Sequence, residues 1–279
     1  MKRILLLLLI GSLSGQYLYA REDRKETFQQ IDLSHHFKDV EGCFVLYDLN
    51  KESYQMYQPD QCHQRFSPCS TFKIPNSLFA LESGVADDVQ FKLPWDSIRT
   101  PDQSWMYDRE PFKYWLQDHT LQSAIKYSVV WYYQEIARRI GAERMNHYLQ
   151  QINYGNNDAS SAIDRFWLCG SLKISAKEQV DFLKEFYMNE LSGFSIANMK
   201  AVKDIILYGS TDHYRLYGKT GGGNCMPDKV IGWYVGFVET DDNTYIFATN
   251  MLADDFSAFD QNRRIEVTRK VLQELNIIY

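Results

Sequence analysis

Ser70 and Lys73 stand one helical turn apart in Ser70-Thr71-Phe72-Lys73. On a helix that spacing puts both side chains on one face. A serine hydroxyl is a weak nucleophile until a neighbouring base takes its proton. Lysine serves as that base when burial lowers its pKa, because desolvation disfavours the ammonium. Ser70 also opens the expected helix, where free backbone N–H groups stabilise a nascent anion. By itself the pattern carries little weight, since about one S-x-x-K is expected by chance in a chain this long. The sequence supplies its own decoy in Ser123-Ala124-Ile125-Lys126. That pair reads as the interior of a helix, where the serine would lack free N–H groups and the face would be solvated.

A second element is Lys219-Thr220-Gly221, placed at the end of a strand and followed by Gly222 and Gly223. A strand edge carrying a lysine, a hydroxyl and a glycine suits an anionic, amide-like substrate that lies along it as an added strand would. Glycine lets the two backbones come close. Read alone, the same residues are a hairpin with a Gly-rich turn. Ser128-Val129-Val130 is the third element, and read alone its serine is a helix N-cap. The fourth is Tyr154-Gly155-Asn156 followed by Phe166-Trp167-Leu168, alone a turn and a core aromatic.

The segments that must position these residues have readable patterns. Residues 43–49 and 53–58 read as two strands around the turn Asn50-Lys51-Glu52. Residues 71–83 read as a helix stopped at Gly84, with Pro75 near its start, where a proline is best tolerated. The stretch 85–207 is mostly helical, with apolar residues at helical spacing over 121–140 and 176–188. Strands return at 213–219, 231–239 and 244–250, and a last helix is expected over about 262–275. Residues 21–38 are charged and read as a lead-in helix. Strands at both ends with helices between predict an α+β fold: one antiparallel sheet built from both chain ends, flanked by helices, with an inserted all-helical lobe. The expected boundaries are a sheet lobe over about 21–66 and 208–279 and a helical lobe over about 67–207, in a single catalytic domain over 21–279.

The first twenty residues read as a leader. Lys2 and Arg3 precede an apolar run from Ile4 to Ile10, and the segment reaches Leu18-Tyr19-Ala20, the three regions of a secretory signal peptide. The run is short for a membrane span. Cleavage is expected after Ala20, with the mature protein in the periplasm and no stable membrane anchor. Without Lys2 and Arg3 the 30 basic residues become 28 against 36 acidic ones, a formal charge of −8. With no basic patch or Arg-rich stripe, a nucleic-acid partner is excluded on electrostatic grounds. The cysteines at 43, 62, 69, 169 and 225 are odd in number, so at least one thiol stays free or pairs with another chain. Cys43 and Cys62 flank the expected first hairpin and are the first candidates for a bond, which geometry must decide. Their spacing does not suggest zinc, and no metal or bound cofactor is expected. Aromatics make up 15% of the chain, with 19 tyrosines, and read as a Tyr-rich core and cleft.

Taken together and in this order, the four elements resemble the penicillin-recognising serine enzymes, in which S-x-x-K, a middle serine motif and K-T-G meet in one cleft. The familiar middle motif S-D-N is absent and Ser128-Val129-Val130 stands in its place. The chain thereby resembles the class D β-lactamases, the oxacillinases. The likeness extends through Phe72-Lys73-Ile74-Pro75-Asn76, Ile174-Ser175-Ala176 and Gly232-Trp233-Tyr234-Val235-Gly236. It implies hydrolysis of a β-lactam, a small-molecule substrate, through an acyl-enzyme on Ser70. It implies that Lys73 reacts with CO₂ to become N6-carboxylysine, the general base for acylation and deacylation, so that CO₂ or bicarbonate is needed. Only a neutral amine attacks CO₂, and Phe72, Val130, Trp167 and Leu168 would supply an apolar pocket that favours neutrality. The Trp167 indole N–H, a donor with no acceptor of its own, would hold the carbamate oxygen. Ser128 would relay a proton to the departing ring nitrogen with Lys219 as its electrostatic partner. The backbone N–H groups of Ser70 and Gly222 would form the oxyanion hole. Thr220, along the Lys219-Thr220-Gly221 edge, and an arginine would hold the substrate carboxylate. Helix register favours Arg264, with Arg263 adjacent and able to swap roles. Cys69, just before the nucleophile, reads as a small buried residue rather than a second nucleophile.

Three other readings compete. A β-lactam sensor domain or a penicillin-binding transpeptidase would acylate without turnover, and a secreted binding domain would not react. The sequence leaves open the spectrum of drugs, which the loops over 97–109 and 222–230 would set, and the oligomeric state.

Overall fold

The structure is a computed structural model that describes residues 28–38 and 40–279. The expected leader over 1–20 lies outside the described residues. In chain order the elements are β1 (Phe28–Gln30), β2 (Glu41–Asp48), β3 (Ser53–Tyr57), α1 (Pro59–His63), α2 (Lys73–Glu82), β4 (Lys92–Leu93), β5 (His119–Thr120), α3 (Leu121–Lys126), α4 (Val130–Ile140), α5 (Ala142–Gln151), α6 (Ala176–Met188), α7 (Ile196–Ile205), β6 (Leu207–Ser210), β7 (Tyr214–Gly223), β8 (Val230–Thr240), β9 (Thr244–Ala253) and α8 (Arg263–Glu274).

Strands from both chain ends form one sheet in the order β1-β3-β2-β9-β8-β7-β6. Every pairing is antiparallel except β1 on β3, which is parallel. The α+β architecture expected from the sequence is thus present, with one parallel edge strand. That edge is also a correction: Phe28–Gln30 is a strand and only Ser34–His36 forms a short 3-10 turn, so the charged lead-in is not a helix where it is described. Three residues suffice to pair with Tyr54–Met56, and charge alone does not encode helical period.

The central strands are buried on both faces, which is why their sequences are almost continuously apolar. Cys43, Val45, Trp233, Val235, Phe237, Ile246 and Ala248 pack into the helical side with α2, α4 and α6. Phe44, Leu46, Tyr234, Val238, Phe247 and Met251 pack on the opposite face with Ile265, Val271 and Leu272 of α8. The alternation follows the two-residue period of a strand, and it sets the two sides of the cleft.

The helical spacing read over 121–140 is shared by two helices. α3 ends at Lys126 and α4 begins at Val130. Between them Ser128 adopts a left-handed φ of 55°, its N–H donates to Ile125 O at 3.2 Å, and Val129 N–H donates to Ala124 O at 2.9 Å. This is a helix stop of the kind glycine usually supplies. Ser128 is therefore not the N-cap of α4, whose capping position is Val129 with no side-chain bond. The decoy pair is also placed differently from expectation. Ser123 lies in the first turn of α3, where its hydroxyl accepts from Thr120 N–H at 2.9 Å and Thr120 Oγ1 accepts from Ser123 N–H at 3.2 Å. The capping box occupies that hydroxyl, while Lys126 is exposed.

Candidate active site

The nucleophile candidate sits on a 3-10 turn, Cys69–Phe72, that runs directly into α2. Lys73 Nζ lies 2.8 Å from Ser70 Oγ. Lys73 has no exposed surface, and its ammonium lies over the Tyr133 ring, 5.4 Å from the centroid. Burial lowers its pKa from the ordinary lysine value to about 7. The neutral amine is therefore well populated near neutrality, as a proton acceptor for Ser70 requires. Tyr133 was not singled out from the sequence. Its hydroxyl pairs with Ser77 Oγ at 2.7 Å, and Ser77 in turn donates to Lys73 O at 2.7 Å. Lone tyrosines in a Tyr-rich helix carry no signal of this role.

The turn is locked by the Tyr154 and Trp167 segments. Cys69 N–H donates to Trp167 O at 3.0 Å, and Ser67 Oγ donates to the same carbonyl at 2.9 Å. Thr71 Oγ1 accepts from Gln179 Nε2 at 2.8 Å, and Tyr154 hydroxyl donates to Gln179 Oε1 at 3.2 Å. Asn156 Oδ1 accepts from Lys173 N–H and its Nδ2 donates to Ser171 O, both at 2.9 Å. The Tyr154-Gly155-Asn156 motif thus fixes the loop that carries Trp167. Trp167 is fully buried, its ring tilted 31° to that of Phe72 at 5.5 Å, and its indole N–H has no partner among the described residues. An unmet buried donor costs about 1–3 kcal/mol. Leu168 is half-buried against the helical-side core and Val130 is half-buried at the start of α4.

β7 brings the second wall. Its residues pair with β8, Lys219 opposite Val235 and Gly222 opposite Gly232. On its other side β6 pairs no further along β7 than Leu207 opposite Tyr217, and Gly218 N–H donates to Ile206 O at 2.9 Å. Among the described residues no strand covers 219–223 on that side, so the edge is open. Gly221 presses on the nucleophile turn: a Cβ there would lie 2.9 Å from Pro68 O and 3.0 Å from Thr71 Cγ2. A larger residue would pry β7 from the turn. Lys219 is buried, its Nζ donating to Thr220 O at 3.0 Å. Burial, then the charges of Lys73 and Arg264, hold its pKa well below the usual lysine value.

Of the two adjacent arginines, Arg264 faces the cleft. Its Nη1 donates to Gly221 O at 2.7 Å and would lie 2.9 Å from a Cβ on Gly222. Its Nε is buried without a partner. Arg263 points elsewhere, donating to Lys38 O at 2.7 Å. Lys73, Lys219 and Arg264 are thus gathered with no ion-paired carboxylate on any of them among the described residues. Buried cations without counter-ions are costly, and the arrangement suits an anionic ligand.

The cysteine expectation is corrected. Cys43 and Cys62 are free and buried, and the Cys62 thiol instead donates to Tyr57 O at 3.1 Å. The disulfide joins Cys169, two residues after Trp167, to Cys225, in the loop after Gly223. No helix among the described residues is long and apolar enough to cross a membrane.

Residues 42–273 match the family model of the penicillin binding protein transpeptidase domain. The chain is 38% identical over 271 residues to a probable β-lactamase, YbxI, of Bacillus subtilis (strain 168), covering 96% of each chain. It superposes on the crystal structure of a class D β-lactamase, YbXI from Nostoc, with a TM-score of 0.80, 38% identity, 89% of this chain and 100% of that one covered. It is also similar to the C-terminal domain of the BlaR penicillin-receptor of Bacillus licheniformis, with a TM-score of 0.80 and 36% identity over 90% of this chain and 98% of that one.

Proposed function

Since the chain belongs to the penicillin-binding transpeptidase family, and within it to the class D β-lactamases, a group of hydrolases, we propose that it opens the β-lactam ring of penicillin-type antibiotics through an acyl-enzyme on Ser70. The observation that carries this is the buried Lys73 amine, 2.8 Å from Ser70 Oγ with its pKa lowered to about 7. Lys73 accepts the hydroxyl proton as Ser70 Oγ attacks the ring carbonyl. The backbone N–H groups of Ser70 and Gly222 receive the oxyanion, each such donor being worth about 2.7–4 kcal/mol to the rate. The substrate lies along the open edge at 219–223. Ser128 hands a proton to the departing ring nitrogen, backed by Lys219. A serine held in a left-handed conformation that glycine would adopt with less strain is consistent with a hydroxyl needed at that point.

Thr220 and Arg264 hold the substrate carboxylate. An anion arriving there favours the ammonium of Lys219 again, offsetting the burial that disfavours it. Arg264→Ala is expected to raise KM for carboxylate-bearing substrates by roughly tenfold or more, the loss of one charge-assisted bond, with little change in kcat. Steady-state kinetics beside Arg263→Ala checks this. A large effect at 263 with none at 264 would reverse the assignment.

The residues also fit N6-carboxylation of Lys73. The amine is neutral enough to meet CO₂, the Trp167 indole N–H is a buried donor unmatched among the described residues, and no carboxylate among the described residues pairs with Lys73, Lys219 or Arg264. When formed, the carbamate supplies an anionic oxygen base in place of an amine. Trp167 would hold it and Lys219 would balance its charge.

We place the enzyme in the periplasm, a reading supported by the leader-like residues 1–20 and by a disulfide of the sort oxidising compartments preserve. The likeness to the BlaR receptor domain supports a second reading, a penicillin sensor that acylates and stops. A chromogenic β-lactam decides between them. Product far in excess of enzyme is expected, whereas one equivalent of product per chain would make it a sensor or transpeptidase, and no reaction would leave a binding domain.

A further inference from the structure

Three sulfurs from three separate segments meet beside the nucleophile. Cys69 immediately precedes Ser70, Cys169 follows Trp167 by two residues, and Cys225 follows Gly222 by three. Cys69 Sγ lies 3.7 Å from Cys225 Sγ, and the three sulfurs lie within 4.8 Å of one another. They share the space over Gly223, where a Cβ would meet Cys69 Sγ and Cys225 Sγ at 2.8 Å and Cys169 Sγ at 3.2 Å. Glycine is what lets all three stand there. Cys69 is 1% exposed, whereas Cys169 is exposed.

We propose that Cys69, Cys169 and Cys225 form a thiol–disulfide exchange site, in which Cys69 takes over the bond to Cys225 and releases Cys169 as a surface thiol open to small disulfides and other thiol-reactive electrophiles. The step is balanced without an oxidant or reductant. Cys69 gives its proton to solvent, its side chain turns to the face of Cys225 Sγ opposite Cys169, and its thiolate attacks that sulfur. The bond between Cys225 and Cys169 breaks, and Cys169 leaves with the electron pair and takes up a proton. The free thiol moves from a buried position to an exposed one. The covalent tie moves from the segment carrying Trp167 to the turn carrying Ser70.

Burial pushes the Cys69 thiol up to about 11, against a bond from Ser67 and the opposing charges of Lys73 on α2, Lys173 in the loop before α6, and Arg264 on α8. At neutral pH the thiolate fraction is small, so exchange is slow there. Its rate should rise about tenfold per pH unit below that value.

Two alkylations test this. The protein is held at pH 7, 8 or 9, trapped under native conditions with N-ethylmaleimide, then denatured and treated with iodoacetamide, and the cysteine peptides are mapped. The expected result is N-ethylmaleimide on Cys169, formed about tenfold faster per pH unit and abolished in Cys69→Ser. Recovery of the Cys169–Cys225 pair intact at every pH, or native labelling of Cys169 that persists in Cys69→Ser, overturns the proposal. Cys169→Ser supplies an independent check. In oxidised glutathione it should form a Cys69–Cys225 bond, and two free or separately glutathionylated thiols would contradict it. Neither readout uses β-lactam chemistry, so the hydrolytic reading and this one fail separately.

Discussion

Ser70→Ala is expected to abolish covalent labelling by penicillin and to lower turnover by at least about a thousandfold, the scale seen when a nucleophile is removed from a preassembled site. The hydroxyl it deletes is half-buried on the 3-10 turn and makes one bond, to Lys73 Nζ. No core packing is lost, and the variant should keep the wild-type melting temperature within a few degrees. Intact-mass spectrometry reads the adduct, and peptide mapping places it. A drug adduct that persists on the alanine variant, or that maps to Ser128 or Cys69, removes Ser70 from the role. Cys69 is the sharper competitor because it is adjacent, but its thiol is buried and held up to about 11, which leaves little thiolate to react.

Withdrawing dissolved CO₂ should have the next largest effect. With a pKa of about 7, the free Lys73 amine is about half ammonium at neutrality and about nine-tenths ammonium one unit lower. Because the value is depressed, protonation is lost as pH rises through 7 and gained as it falls. Carbamate formation, which needs the neutral amine, fails in the same direction. Degassed enzyme at pH 6 is therefore expected to lose most of its steady-state rate and to recover it with bicarbonate. Trp167→Phe is the informative partner. Trp167 is fully buried among Phe72 and Phe166, so alanine would leave a cavity, whereas phenylalanine removes the indole donor and keeps most of the volume. A bond to a charged group is worth about 1.5–3 kcal/mol. The variant should then need roughly tenfold or more bicarbonate for half-recovery. A carbamate resonance from ¹³C-labelled bicarbonate gives a readout besides rate. Full activity after degassing, with no resonance, would leave Lys73 acting as a free amine.

What could be read from the sequence was what local period encodes. Ser70 and Lys73 share a face because i and i+3 always do on a helix, and the buried strands announced themselves as apolar runs. The features that were missed depend on contacts between distant segments or on single backbone angles. The serine at 128 reads as the start of a helix, and α4 does begin two residues on, but nothing in its type marks the left-handed backbone that makes it the stop of the preceding helix instead of a cap. The pairing of Cys169 with Cys225 spans 56 residues and follows from how the Trp167 loop meets the end of β7, whereas Cys43 and Cys62 are neighbours in the core yet remain free thiols. Arg264 and Arg263 differ only in helix rotation, which the packing of α8 on the sheet decides. Tyr133, over the Lys73 ammonium, became visible only once α4 lay against α2.

The most direct test of a catalytic cycle at Ser70 is time-resolved intact-mass spectrometry of the protein mixed with excess penicillin, in bicarbonate, with the ring-opened acid measured in the same samples. The expected result is an adduct of drug mass on the Ser70 peptide that appears early, persists only while drug remains, and vanishes as product exceeds enzyme many-fold. An adduct that stays at one per chain after free drug is removed, with product never exceeding that amount, would contradict hydrolysis and leave a penicillin receptor in its place.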